Sequence, residues 1–208
     1  RRPPRSTLFP YTTLFRSLIT GVSSGFGRAL AEAALSDGHT VVGTVRNEND
    51  KQKFEALGEG VHAVILDVTD FGAIAPAVAD VERTIGAIGV LVNNAGYGHE
   101  GILEESSIDD LRRQFEVNVF GAVAMIQAVL PFMRKRRAGH ILNVTSMGGF
   151  ITMPGLGYYH GSKFALEGIS ETLGKEVNDL GIKVTAVEPG SFRTDWAGRS
   201  MVRAERSI

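Results

Sequence analysis

Apolar residues recur along this chain in two rhythms that take turns. Short unbroken apolar runs at 40–45 (TVVGTV), 61–66 (VHAVIL), 90–92 (VLV), 140–144 and 183–187 read as buried strands. Between them, segments with apolar positions three and four apart predict helices over 28–35, 50–57, 71–85, 108–136 and 158–180. Gly38, Gly139 and Gly181 stand where helical stretches should stop. Leu18, Ile19 and Thr20 read as the end of a first strand. Strands alternating with helices argue for βαβ units and a parallel sheet covered on both faces. The fold class expected is α/β: a doubly wound, Rossmann-like parallel sheet in three layers, α/β/α.

The two ends break this pattern. Residues 1–17, RRPPRSTLFPYTTLFRS, coincide residue for residue with a translated sequencing adapter. They are expected to be a non-native segment, set aside from functional reasoning. Positions 13–17 then stand where the start of strand one belongs, with Arg16 or Ser17 ill suited to burial. At the other end, 198–208 is polar and charged and closes no strand. The expected organisation is a foreign 1–17 followed by one dinucleotide-binding domain, 18–208, lacking its C-terminal portion.

Composition narrows the chemistry. The chain has 208 residues, enough for one domain with a full core. Its net charge of -1 gives no electrostatic case for nucleic acid or an anionic membrane. With no cysteine, disulfides, thiolate metal sites and cysteine nucleophiles are excluded, and a reducing, cytoplasmic setting is expected. No apolar run reaches the roughly 18 residues of a bilayer span. The five histidines show no metal-ligand spacing, so no metal is expected. The cluster Arg134, Lys135, Arg136, Arg137 suits a helix C-terminus better than a nucleic-acid surface.

Four local patterns carry candidate chemistry. Thr20-Gly21-Val22-Ser23-Ser24-Gly25-Phe26-Gly27 follows a strand and opens a helix, where glycines let a backbone approach a pyrophosphate. Strand two ends in Thr44-Val45-Arg46, with no acid for a ribose and an arginine placed to pair with a 2'-phosphate. That favours NADP(H), with NAD(H) possible. Asn93-Asn94-Ala95-Gly96 follows strand four and can line a cofactor cleft. Tyr159 and Lys163, four apart, share a helix face, where an ammonium can favour tyrosinate. Each alone has an ordinary structural explanation: a tight turn, a surface arginine, an Asn/Gly turn, two unrelated helix residues.

Together and in order they resemble the short-chain dehydrogenase/reductase family. The matches are TGxxxGxG at 20–27, NNAG at 93–96 and YxxxK at 159–163. Ser146 precedes the tyrosine by thirteen residues, Asn118 stands in VNVFG, and Pro189-Gly190 follows strand six. The resemblance implies an NADP(H)-linked carbonyl reductase or alcohol dehydrogenase with a tetrad of Asn118, Ser146, Tyr159 and Lys163. Tyr159 would be the proton donor in reduction and the base in oxidation. Lys163 would lower its pKa and bind the nicotinamide ribose; Ser146 would hydrogen-bond the substrate oxygen; Asn118 would hold a relay water. Cofactor contacts are implied for Gly21, Ser23, Ser24, Gly25, Phe26, Gly27, Arg46, Asp67, Val68, Asn93, Ala95, Gly96, Tyr159, Lys163, Pro189, Gly190 and Thr194. The nearest branch looks like the retinol and hydroxysteroid dehydrogenases, hence a small lipophilic carbonyl or alcohol substrate. A homo-oligomer through 108–136 and 158–180 is also implied. A cofactor sensor without turnover, or a purely structural α/β domain, remain the competing classes.

Overall fold

The computed structural model describes residues 14–190, 192, 198 and 200–205. Six strands form one parallel sheet: β1 (Arg16–Ile19), β2 (Thr40–Val45), β3 (Val61–Ile65), β4 (Val90–Asn93), β6 (Gly139–Val144) and β7 (Ile182–Val187). Their order is β3-β2-β1-β4-β6-β7, so the sequence direction reverses beside β1. Such a reversal opens a crevice at the carboxyl ends of the strands, the place where dinucleotides sit in this architecture. The α/β expectation holds.

Strand parity divides the apolar residues between two cores. On β1, Leu18 packs toward α3 (Phe71–Thr84), α5 (Ala122–Arg136) and α6 (Gly157–Val177), with Ile74, Val78, Met125, Val129 and Leu173. Its neighbour Ile19 points the other way, to α1 (Gly25–Ser36) and α2 (Glu48–Glu55), with Val22, Ala31 and Phe54. Two strand faces covered by two helical layers give the three-layer arrangement.

Arg16 and Ser17 are drawn into β1, in register with Thr40 and Val41 of β2. Leu14 and Phe15 stay outside the strand and exposed, although the Phe15 carbonyl accepts from the Thr40 amide at 3.1 Å. Thr13 lies outside the described residues. Arg16 is exposed, whereas the Ser17 side chain is buried between two apolar strands.

Three features depart from the expected elements. The stretch 108–136 is two helices, α4 (Ile108–Phe115) and α5, joined by a π turn over Glu116–Gly121. This stretch is also long and apolar enough to cross a membrane by length and composition, against the expectation of no such segment. Its Met125, Val129 and Met133 are wholly buried in the domain core. Lastly, β5 (Gly98–Glu100) pairs in parallel with β8 (Met201–Arg203), two short strands within stretches expected to be irregular. The basic cluster is partly engaged: Arg136 ion-pairs with Glu82 and donates to the Ile88 carbonyl.

Candidate active site

The Gly-rich turn is held from below by side chains of its own sheet. Thr20 is buried, and its Oγ1 accepts from the amides of Asn94 at 3.0 Å and Ala95 at 2.9 Å. Asn94 answers with its Nδ2, donating to the carbonyls of Thr20 at 2.8 Å and Gly21 at 3.0 Å. Thr44 of β2 accepts from the Gly21 amide at 3.1 Å. Gly21 has φ +70°, a backbone conformation that favours glycine, and a Cβ on Gly27 would lie 2.4 Å from the Gly21 carbonyl oxygen. These residues therefore force the backbone close to the start of α1. That helix has no acidic residue in its first turn, and its N-cap Ser24 makes no side-chain cap bond. Its amide end is thus shaped for an anion. Thr20, Thr44 and Asn94 stand inside the quoted motifs, which gave none of them a role of its own; these bonds supply one.

The other cofactor candidates fall into two groups. Ser23, Gly25, Phe26, Arg46, Asp67, Gly96 and Gly190 are exposed, with Ser24, Ala95 and Pro189 half-buried. The Phe26 and Phe192 rings meet edge-on, 5.2 Å apart, joining the Gly-rich turn to the segment after β7. Asp67 Oδ1 accepts from the Thr69 amide at 2.9 Å and hydroxyl at 2.8 Å, fixing its own turn. Two candidates point inward instead. Val68 is buried, and a Cβ on Gly121 would lie 2.9 Å from it. Asn93 shares the strand face of Leu91; its Nδ2 donates to Asn143 Oδ1 at 2.8 Å. Asn143 in turn donates to Ser170 Oγ at 2.8 Å, tying β4, β6 and α6 by a buried polar chain. Both candidates support the cleft from beneath. Thr194 lies outside the described residues.

The tetrad candidates come together. Ser146 follows β6, and its side chain approaches the Tyr159 phenol at the start of α6 closely enough to act on the phenol's proton. Ser146 Oγ also accepts from the Gly148 amide at 3.0 Å. One turn further along α6, the Lys163 ammonium lies 5.8 Å from the Tyr159 ring centre and donates to the Val144 carbonyl at 2.8 Å. Burial pushes the Tyr159 phenol above the usual tyrosine range, and the neighbouring Ser146 side chain pulls partly back. Burial lowers the Lys163 ammonium to about 8, with Glu167 opposing. The phenol therefore keeps its proton at neutrality, and the lysine remains mostly charged.

Asn118 sits in the π turn with its side chain fully used. Its Nδ2 donates to the Tyr97 carbonyl and to Ser162 Oγ, each at 3.0 Å, and its Oδ1 accepts from the Tyr97 amide at 3.1 Å. A π turn bonds each amide one residue further back than an α turn, which disturbs the backbone ladder at this position.

A family model described as short chain dehydrogenase matches residues 16–203. A 3-ketodihydrosphingosine reductase of Bacteroides thetaiotaomicron is 44% identical over 179 residues, covering 86% of this chain and 64% of that protein. A short-chain dehydrogenase from Streptomyces avermitilis superposes with a TM-score of 0.89 at 42% identity, covering 95% of this chain and 73% of that one. A gluconate 5-dehydrogenase from Burkholderia cenocepacia, in complex with NADP and tartrate, superposes with a TM-score of 0.84 at 29% identity, covering 88% and 74%. The chain spans about two thirds of the length of the curated relatives it matches, for example 68%, 64% and 68%.

Proposed function

The chain belongs to the short chain dehydrogenase family, and we propose that it is an NADP(H)-dependent oxidoreductase acting on a lipophilic carbonyl or secondary alcohol. One observation carries this: the Ser146 hydroxyl stands close enough to the Tyr159 phenol to act on its proton, with Lys163 on the next turn of the same helix. Two hydroxyls this close can grip one carbonyl oxygen.

A bound nicotinamide dinucleotide supplies the hydride in reduction and accepts it in oxidation. The chain fits such a group, because the forced Gly21–Gly27 approach leaves the uncapped start of α1 open to a pyrophosphate. Arg46, exposed after β2, would pair with a 2'-phosphate, where Val45 is buried and offers no carboxylate. Gly21, Ser23, Ser24, Gly25, Phe26 and Gly27 would line the pyrophosphate side, Asp67, Ala95 and Gly96 the adenosine side, and Pro189 and Gly190 the nicotinamide side.

In reduction, Ser146 donates to the substrate oxygen as negative charge builds there. Tyr159 passes its phenolic proton to that oxygen, and Lys163 stabilises the phenolate left behind. Asn118 completes the relay; with its amide committed to Tyr97 and Ser162, its backbone carbonyl would hold the water. A lipophilic substrate is favoured because Phe150, Ile151 and Met153, on the loop after Ser146, are exposed. We take 18–208 as the functional domain and 1–17 as foreign to it. Exposed Phe120 and Phe164 suit a homo-oligomer, and the full burial of Met125, Val129 and Met133 in the core suits a cytoplasmic protein.

The test is NADPH oxidation followed by absorbance with a panel of ketones and aldehydes. Consumption that depends on the carbonyl supports the assignment. NADPH binding without turnover on any carbonyl or alcohol would leave a cofactor sensor; binding of neither nucleotide would leave a structural domain.

A further inference from the structure

The residue after the proposed catalytic tyrosine is a histidine, and its side chain meets the loop that follows Ser146. His160 is buried, 3% exposed. Its Nδ1 lies 2.8 Å from the Gly148 carbonyl, and its Nε2 lies 2.9 Å from the Met153 amide. A carbonyl oxygen can only accept and a backbone amide can only donate, so the two contacts fix the protonation. Nδ1 carries the hydrogen and donates to Gly148; Nε2 is bare and accepts from Met153. Only the neutral Nδ1–H form satisfies both.

These two bonds hold both ends of one loop against α6. The near end contains Gly148, whose amide donates to Ser146 Oγ at 3.0 Å. A Cβ on Gly148 would lie 2.9 Å from His160 Nδ1 and 3.2 Å from the Tyr159 ring, so the loop backbone rests directly on both side chains. Its start is also pinned to the far side of the cleft, where the Met147 amide donates to the Pro189 carbonyl at 3.1 Å. The far end contains Met153, and between the ends stand Phe150 and Ile151. Phe150, Ile151 and Met153 are 60%, 48% and 46% exposed and form an apolar wall.

We propose that His160, as the neutral Nδ1–H tautomer, is a positioning residue that clamps the 147–153 loop beside the Ser146–Tyr159 pair and thereby sets the site's acceptance of bulky apolar carbonyls. This rests on the oxidoreductase assignment for the identity of the substrate, though not for the clamp itself. The hydroxyl grip needs only Ser146 and Tyr159. The wall needs its far end held, and His160 is the side chain that closes it onto the catalytic helix.

Heteronuclear NMR of the histidine ring nitrogens, with His160 identified by its loss in His160→Asn, reads the tautomer in the wild-type protein. A pyrrole-type Nδ1 and a pyridine-type Nε2 are expected; the reverse, which free imidazole prefers, overturns the clamp. Kinetics with His160→Phe then read the function, since an aromatic ring is kept and both bonds are lost. KM for a long-chain or polycyclic ketone is expected to rise about ten-fold while a small ketone changes less than about two-fold. His160→Asn, whose amide reaches toward Gly148, should recover part of the loss. Equal losses on both substrates, or none, would overturn the proposal, and a variant that does not fold leaves the tautomer to decide. Wild-type protein inert to every carbonyl would sink the oxidoreductase assignment instead, with the ring-nitrogen signature still judging the clamp.

Discussion

Lys163 donates a hydrogen bond to the Val144 carbonyl at 2.8 Å, which anchors its buried ammonium to the end of the strand that leads to Ser146. The charge beside the Tyr159 ring is thus held at a cost to the fold. Lys163 falls from 10.5 to about 8 because burial disfavours its charged form. Below pH 8 both folded and unfolded lysine are charged, and the folded state bears the whole penalty. Between about 8 and 10.5 the folded protein releases the proton first, so stability rises with pH across that window. Lys163→Met should therefore abolish turnover while raising Tm at pH 7 by several degrees, on the order of 1–3 kcal/mol. Calorimetry of both proteins at pH 7 and 10 checks this: the wild type should gain on its variant as pH rises. A variant that melts below wild type at pH 7 would contradict it. Reductase turnover should also fall above about pH 8.

Tyr159→Phe removes the proton while leaving the ring. A fall in kcat of about 10²–10⁴ is expected, with the dissociation constant for NADPH changed less than about three-fold. Ser146→Ala should cost about 10²–10³. Fluorescence titration separates binding from turnover, and a Phe variant retaining a tenth of wild-type kcat would remove Tyr159 from its assigned role.

Arg46 decides between the two nicotinamide cofactors if the assignment holds. Arg46→Ala should raise KM for NADPH about ten-fold or more and leave KM for NADH nearly unchanged. A parallel change in both constants would mean that Arg46 does not read the 2'-phosphate.

Gly27→Ala places a methyl group 2.4 Å from the Gly21 carbonyl oxygen and from Asn94 Nδ2. The turn must open to admit it. A lowered Tm and at least a ten-fold weaker affinity for the dinucleotide are expected by thermal shift and calorimetric titration.

Ser17 is 8% exposed between Val41 of β2 and Val90 of β4. Ser17→Val should stabilise the protein by about 1 kcal/mol, since a valine there buries an apolar side chain without a hydroxyl. Urea denaturation measures it, and a loss of stability would mean that the hydroxyl has a partner worth keeping.

Much of this molecule can be read from its residues. The apolar runs give the six main strands, and the motif spacing gives the convergence of Ser146, Tyr159 and Lys163. What stayed hidden has physical causes. The three-residue strands Gly98–Glu100 and Met201–Arg203 are too short to show alternation, and their pairing joins segments about a hundred residues apart. Asn93 belongs to a cofactor motif, yet strand parity turns it inward, to a hydrogen bond with Asn143 that no local pattern announces. Asn94, its neighbour, makes the bonds that shape the Gly-rich turn. His160 lies inside YxxxK, at a position the motif leaves open, and its two partners sit on a loop whose course only the fold supplies.

The wide turn at Glu116–Gly121 has a consequence for how one rod of helix can serve two neighbourhoods. An extra residue in a single turn rotates every later side chain by about 100° relative to the earlier ones. Gln114 and Asn118 both reach the Tyr97 carbonyl. Met125, Val129 and Met133 meet the sheet interior. Shortening this segment by one residue would bring the two halves into phase, and one of them would then have to give up its neighbours.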